Sequence, residues 1–253
     1  MRNAGLSFAR GALIFAFAIL LWQVIVFLTG VPHFILPGPQ RVFERLWSAR
    51  EMIAENALIT FAEIIGGMVL GAALGVSTAI QLVMSPFSRM FIRPVIVFAQ
   101  AVPVFALAPI ITLWLGYGMA SKILIVILVI YFPIASAFFD GMMRTPQGYL
   151  DLARVMDSKP LNTIFQLRLP HAMPGFASGL RLAAVYAPFG AVIGEWVGAS
   201  RGLGHLMLLA NGRAQTDLMF ASLFVLAAFT VLLYNIIDGI GIMITRRFGE
   251  PVG

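Results

Sequence analysis

The chain has 253 residues, 60% of them hydrophobic and 11% charged. A soluble domain carries roughly 25% charge, so too few polar side chains remain to clothe a water-facing surface and lipid is the expected solvent. The net charge of +6 is spread as punctuation between apolar runs, which is not the clustered pattern of a nucleic-acid binder. The lack of cysteine excludes disulfides, thiolate zinc sites and iron–sulfur clusters. His33, His171 and His205 have no metal-ligand spacing.

A membrane core of about 30 Å takes roughly 20 apolar residues as a helix. The apolar runs predict an all-α polytopic membrane bundle of about six spans, near 11–30, 58–84, 91–115, 120–140, 176–198 and 218–245, in a single domain over 1–253. The first run starts from Arg10 but is long for a signal peptide and lacks a small-x-small cleavage site, so it reads as a retained span. A polar amphipathic piece over 37–57 precedes the second. Between the fourth and fifth lies the longest polar stretch, 144–174, and residues 198–217 form another before the sixth. Arg2, Arg10, Arg89, Arg93, Arg144, Arg154, Lys159, Arg168, Arg246 and Arg247 fall on the side of the N-terminus, against Arg41, Arg45, Arg50, Lys122, Arg201 and Arg213 on the other. That bias sets both termini, and the 144–174 stretch, in the cytoplasm.

Small residues let helices approach closely in lipid. Gly67, Gly71 and Gly75 fall on one helical face of the second span, and Gly190, Gly194 and Gly198 repeat the device in the fifth, flanked by Ala183, Ala187 and Ala191. Pro94, Pro103 and Pro109 all interrupt the third span, which suggests a bent gating element. Among intramembrane charges, Asp140, Asp238 and Glu63 sit near span ends and read as interfacial. Glu195 lies late in the fifth and is a candidate for the translocation path or its gate, or else for a structural pair with an arginine. Gln100 and Pro103 are the other path or gate candidates.

Within 144–174, two short amphipathic helices joined by Asp157-Ser158-Lys159-Pro160 are expected, since Asp and Ser favour turns and Pro suits a first helical turn. The spacing of Asp151, Leu152, Ala153, Asp157, Leu167, Leu169 and Pro170 resembles the signature E-A-A-x3-G-x9-I-x-L-P of binding-protein-dependent ABC transporter permeases. Leu152 replaces an alanine and Asp157 the glycine; aspartate tolerates a left-handed turn, so the bend can survive. Leu36-Pro37-Gly38-Pro39, Gln100-Ala101-Val102-Pro103, Trp114-Leu115-Gly116-Tyr117-Gly118 and Gly194-Glu195 with Gly202-Leu203-Gly204 are similar to the nitrate/sulfonate/taurine branch. Residues 195–217 are further similar to permeases for thiamin-precursor pyrimidines.

The resemblance implies a type I ABC importer permease fold in the bacterial inner membrane, as a homodimer or close heterodimer. It implies a cytosolic ATPase dimer docked on the 144–174 coupling hairpin, and a soluble external binding protein that delivers the solute. The chain carries no G-x4-G-K-[ST] phosphate loop, so ATP and magnesium belong to the ATPase and this chain needs no cofactor. A channel would not need the hairpin. A membrane-embedded enzyme or assembly factor would need clustered His, Asp or Glu, which the sequence does not show.

Overall fold

The computed structural model describes residues 2–248, with side chains from residue 13 onward except residue 15; the expected 1–253 domain runs past these limits at both ends. Every element among them is helical: α1 (Arg2–Thr29), α2 (Pro39–Ser48), α3 (Arg50–Met84), α4 (Pro86–Ala101), α5 (Val104–Leu115), α6 (Met119–Met143), α7 (Gln147–Val155), α8 (Pro160–Thr163), α9 (Leu169–Gly198), α10 (Leu203–Gly212) and α11 (Thr216–Phe248). A π turn, Ile164–Arg168, joins α8 to α9.

Among the described residues, α3, α6, α8 through α9, and α11 are long and apolar enough to cross a membrane. The pair α4 and α5 passes that test together but bends by 101° at its break, and would make a fifth span. The apolar part of α1, Ala16–Thr29, is shorter. The bent span expected over 91–115 is thus two helices, and the break falls at one of its three prolines. Pro103 cannot donate to the helical ladder, and the residue before it, Val102, is pushed to extended geometry (φ −81°, ψ 121°). Pro94 and Pro109, by contrast, sit inside unbroken α4 and α5.

Two further boundaries move. The amphipathic piece over 37–57 splits at Ala49, so Arg50–Ala57 is already the first part of α3. The fifth span begins well before 176, because the second hairpin helix runs through the π turn into α9. The polar stretch over 198–217 contains a helix, α10, whose Leu203, Leu206, Met207 and Ala210 are buried. Its apolar residues were hidden in sequence by the glycines and charges around them.

Both glycine rows meet one helix, save Gly198, which lies against Thr112 and Tyr117. A side chain at Gly67, Gly71 or Gly75 of α3 would run into Val126, Ile130 or Ile134 of α6. On the other side of α6, Gly190 lies against the Val126 backbone and Gly194 against Lys122. Gly141, Gly175 and Gly179 extend this α6–α9 seam toward the hairpin end, where they face Ala172, Ala137 and Pro133. Helix α6 is therefore the axle of the bundle, clasped by α3 and α9. Ala183, Ala187 and Ala191 are wholly buried in the main core. Stacked rings, Phe61 on Phe229 and Trp22 on Phe220, tie α3 and α1 to α11.

Arg181 of α9 donates from Nε to Asp238 Oδ1 of α11 at 2.6 Å, and Gly241 leaves room for the guanidinium. Asp238 is thus a helix-to-helix partner. Removing one charge strands the other beside lipid. Asp238→Leu should lower the thermal midpoint of the solubilised protein by an amount worth about 2 kcal/mol. The double variant Arg181→Met/Asp238→Leu should recover most of that loss in the same melting assay.

Candidate functional site

The hairpin at one end of the bundle owes its bend to a helix ending. Beyond Val155, the N–H of Ser158 donates to the Ala153 carbonyl at 2.9 Å and that of Asp157 to the Arg154 carbonyl at 3.0 Å. This is the paired six-to-one and five-to-two closure of a Schellman cap, which needs a left-handed residue just past the helix. Asp157 occupies that place with φ 52°. The four-residue step from Ala153 to Asp157 is therefore the step from the carbonyl that closes the cap to the residue that turns the chain.

Ala153 is 7% exposed and lines a cavity of about 330 Å³ with Val83 and Met84 of α3 and Pro160, Ile164 and Arg168 across the hairpin. Asp151 is exposed and accepts from Arg154 Nη1 at 2.7 Å and Gln147 Nε2 at 3.1 Å. Leu152 is exposed; Leu167, Leu169 and Pro170 are half-buried. Leu169 packs beside Phe138 and Ile164 in a small inner core.

Two arginines bond helix-end carbonyls near the hairpin. Arg89 of α4 donates to Leu82 and Val83 at the end of α3, and Arg168 of the hairpin donates to Met142 of α6 at 3.3 Å. Tyr149, Leu152, Val155, Met156, Leu161 and Phe165 are all exposed, Val155 at 85%. Only Leu152 was singled out from sequence. The others could have been found as apolar residues inside an otherwise polar stretch.

A second feature lies at the break between α4 and α5. A cavity of about 730 Å³ opens there, lined by Phe98, Ala99, Gln100 and Val102, by Val104 and Leu107, by Leu128, Tyr131, Phe132 and Pro133 of α6, and by Tyr186 of α9. Among the described residues, no charged side chain lines it. Its polar groups are the Gln100 amide and the hydroxyls of Tyr131 and Tyr186, and Tyr131 donates to Thr78 Oγ1 of α3 at 2.9 Å. Pro103 forms the break beside it.

Glu195, the third path candidate, lies elsewhere. It is fully buried, and no arginine among the described residues pairs with it. It accepts from the Thr60 hydroxyl and from backbone N–H groups of α10. Glu63, read as interfacial, is 2% exposed beside it. The N-terminal end of α3 continues another three turns beyond Glu63 to Arg50, which sinks this carboxyl into the bundle.

Lipid-length helices around a glycine-lined axle, a bent helix pair beside an uncharged cavity and a capped hairpin off one end define a polytopic membrane transport subunit. Residues 67–250 match the family described as binding-protein-dependent transport system inner membrane component. The chain is 46% identical over 226 residues to a probable ABC transporter permease of Haemophilus influenzae, covering 89% of this chain and 92% of that one. It is 31% identical over 221 residues to the formylaminopyrimidine transport permease ThiX of Halalkalibacterium halodurans, covering 87% and 88%. A chain from the inward-facing MetNI methionine ABC transporter shares the fold, with TM-score 0.62 and 21% identity over 79% of this chain and 98% of that one. The chain belongs to the binding-protein-dependent ABC transporter permeases. It is a multi-pass inner-membrane permease subunit of a binding-protein-dependent ABC importer and not an enzyme. ATP is bound by the partner ATPase, and membership of the family implies a binding-protein partner.

Proposed function

We propose that two copies of this chain form the path by which a small, neutral, flat heterocycle enters the cell, a thiamin-precursor pyrimidine being the best example. The observation that carries this is the uncharged, aromatic cavity at the α4–α5 break. A nitrate, sulfonate or taurine group entering it would lose hydration with no countercharge in return. A pyrimidine ring can stack on Phe98, Phe132 or Tyr186 and hydrogen-bond the Gln100 amide. The name of the Halalkalibacterium relative points the same way.

In this reading both termini are cytoplasmic. The hairpin from Asp151 to Pro170 inserts its exposed apolar knob into the ATPase, and Pro103 is the flexure of the gate. ATP moves the bundle only through its different affinity for the two arrangements. Uptake by the reconstituted transporter, with its ATPase and binding protein, tests the substrate. Labelled hydroxymethyl-aminopyrimidine should accumulate, and Gln100→Leu should lower that rate about tenfold by removing a buried polar contact. Accumulation of taurine or nitrate without the pyrimidine would end this reading.

A further inference from the structure

The turn between α9 and α10 brings two helix ends together inside the bundle. Helix α9 stops at Gly198 with unpaired carbonyls, and α10 starts at Leu203 with unpaired N–H groups. Each end meets a buried charge of the sign its dipole favours. Lys122, 1% exposed in the first turn of α6, donates from Nζ to the carbonyls of Gly198 and Tyr117.

Glu195 serves the other end. Its Oε2 accepts from the N–H groups of Gly204 and His205, and its Oε1 accepts from the Thr60 hydroxyl at 2.6 Å. Thr60 Oγ1 accepts in turn from the Leu203 N–H at 2.8 Å, and Asn56 Oδ1 from the Gly202 N–H at 2.8 Å. Four successive N–H groups, Gly202 to His205, are thus taken up by side chains of α3 and α9. Gly202 has φ 120°, and a Cβ there or at Gly204 would overlap the Glu195 carboxyl. The glycines of Gly202-Leu203-Gly204 are there so that the carboxylate can reach the backbone.

Glu63, one turn from Thr60 on α3, is 2% exposed, and its Oε2 has no hydrogen-bond partner among the described residues. It takes up none of the four N–H groups that start α10.

We propose that Glu195 and Lys122, with Thr60 and Asn56, form a latch that locks α10 to α3, α6 and α9. The latch makes these elements a single rigid unit at the end of the bundle opposite the hairpin, so α10 cannot swing free when the bundle rocks. The inference stands on this geometry, whatever solute is carried.

The native chain has no cysteine, so Met207→Cys on the buried face of α10 reports opening by its rate of reaction with N-ethylmaleimide. The assay uses membranes holding the assembled transporter. Glutamine is isosteric with glutamate, so packing alone gives Glu63→Gln and Glu195→Gln the same rate. The latch separates them. Glu195→Gln turns an amide onto N–H donors and strips Lys122 of its counter-charge, and should speed labelling about tenfold or more. Glu63→Gln removes none of the bonds that cap α10 and should label like the parent. Equal rates, or a faster Glu63→Gln, overturn the latch. Should Glu195→Gln fail to reach the membrane, Thr60→Val and Thr60→Ser decide. The valine variant must label faster and the serine variant must not; any other order overturns the proposal.

Discussion

Ala153→Trp will leave the permease inserted in the membrane but without its ATPase. Ala153 is packed between α7, the end of α3 and the start of the second hairpin helix, in a space of about 330 Å³ shared with ten other residues. An indole entering that space wedges between α7, Val83 and Met84 and resets how α7 seats on them. That is a small change for the whole bundle and a large one for a nine-residue helix that buries Leu150 and Ala153 alone. The damage therefore stays local. The knob formed by Leu152, Val155 and Met156 loses its fixed position, and with it the shape proposed to dock the ATPase. Purification by a tag on the permease should show the ATPase reduced to background, while permease level and elution volume match the parent. Asp157 provides an internal control. Valine at φ 52° costs about 1–2 kcal/mol, whereas glycine there relieves strain. Asp157→Val should shed the ATPase and Asp157→Gly should retain it. Normal ATPase recovery with both Ala153→Trp and Asp157→Val would remove the hairpin from the coupling role.

What the sequence disclosed, and what it concealed, follows the range of each physical signal. Apolar length is summed over about twenty residues, so α3, α6 and α11 were legible. The left-handed turn at Asp157 was legible because it depends on one residue and its neighbours. The break at Pro103 looked like the other two prolines of the same span. Pro94 and Pro109 are tolerated within their helices, while Pro103 coincides with an extended Val102; the distinction lies in packing, which a proline count does not contain. Glu195 and Glu63 are 132 positions apart by their numbers, and nothing local says that they meet. What local sequence does contain is the pair of glycines at 202 and 204, whose need becomes plain once the carboxylate is seen against them. The short α10 was obscured for a similar reason. Ten residues flanked by glycine and arginine read as a loop unless a neighbour is known to cap them.

The α6–α9 seam yields the other large effect. Gly175→Leu should prevent accumulation of folded permease altogether, because a Cβ at Gly175 would stand 2.7 Å from the carbonyl oxygen of Ala137. That oxygen belongs to the α6 backbone and cannot rotate away, so relief requires α6 and α9 to part along their length. Parting them undoes the contacts of Gly179 and Gly190, which also meet backbone atoms of α6, and in lipid no hydrophobic drive pushes the helices back together. Even Gly175→Ala should cost roughly 3 kcal/mol. The α3–α6 seam differs in kind. A Cβ at Gly71 would lie 3.0 Å from Cδ1 and Cγ1 of Ile130, which are side-chain atoms and can be shortened. Gly71→Ala should therefore be the milder change, and Gly71→Ala/Ile130→Val, which moves one methyl across the seam at constant volume, should restore most of its loss. Membrane levels and thermal midpoints of the four proteins measure this directly. If Gly175→Leu accumulates normally while Gly71→Ala does not, α6 is not the backbone-tight axle described above.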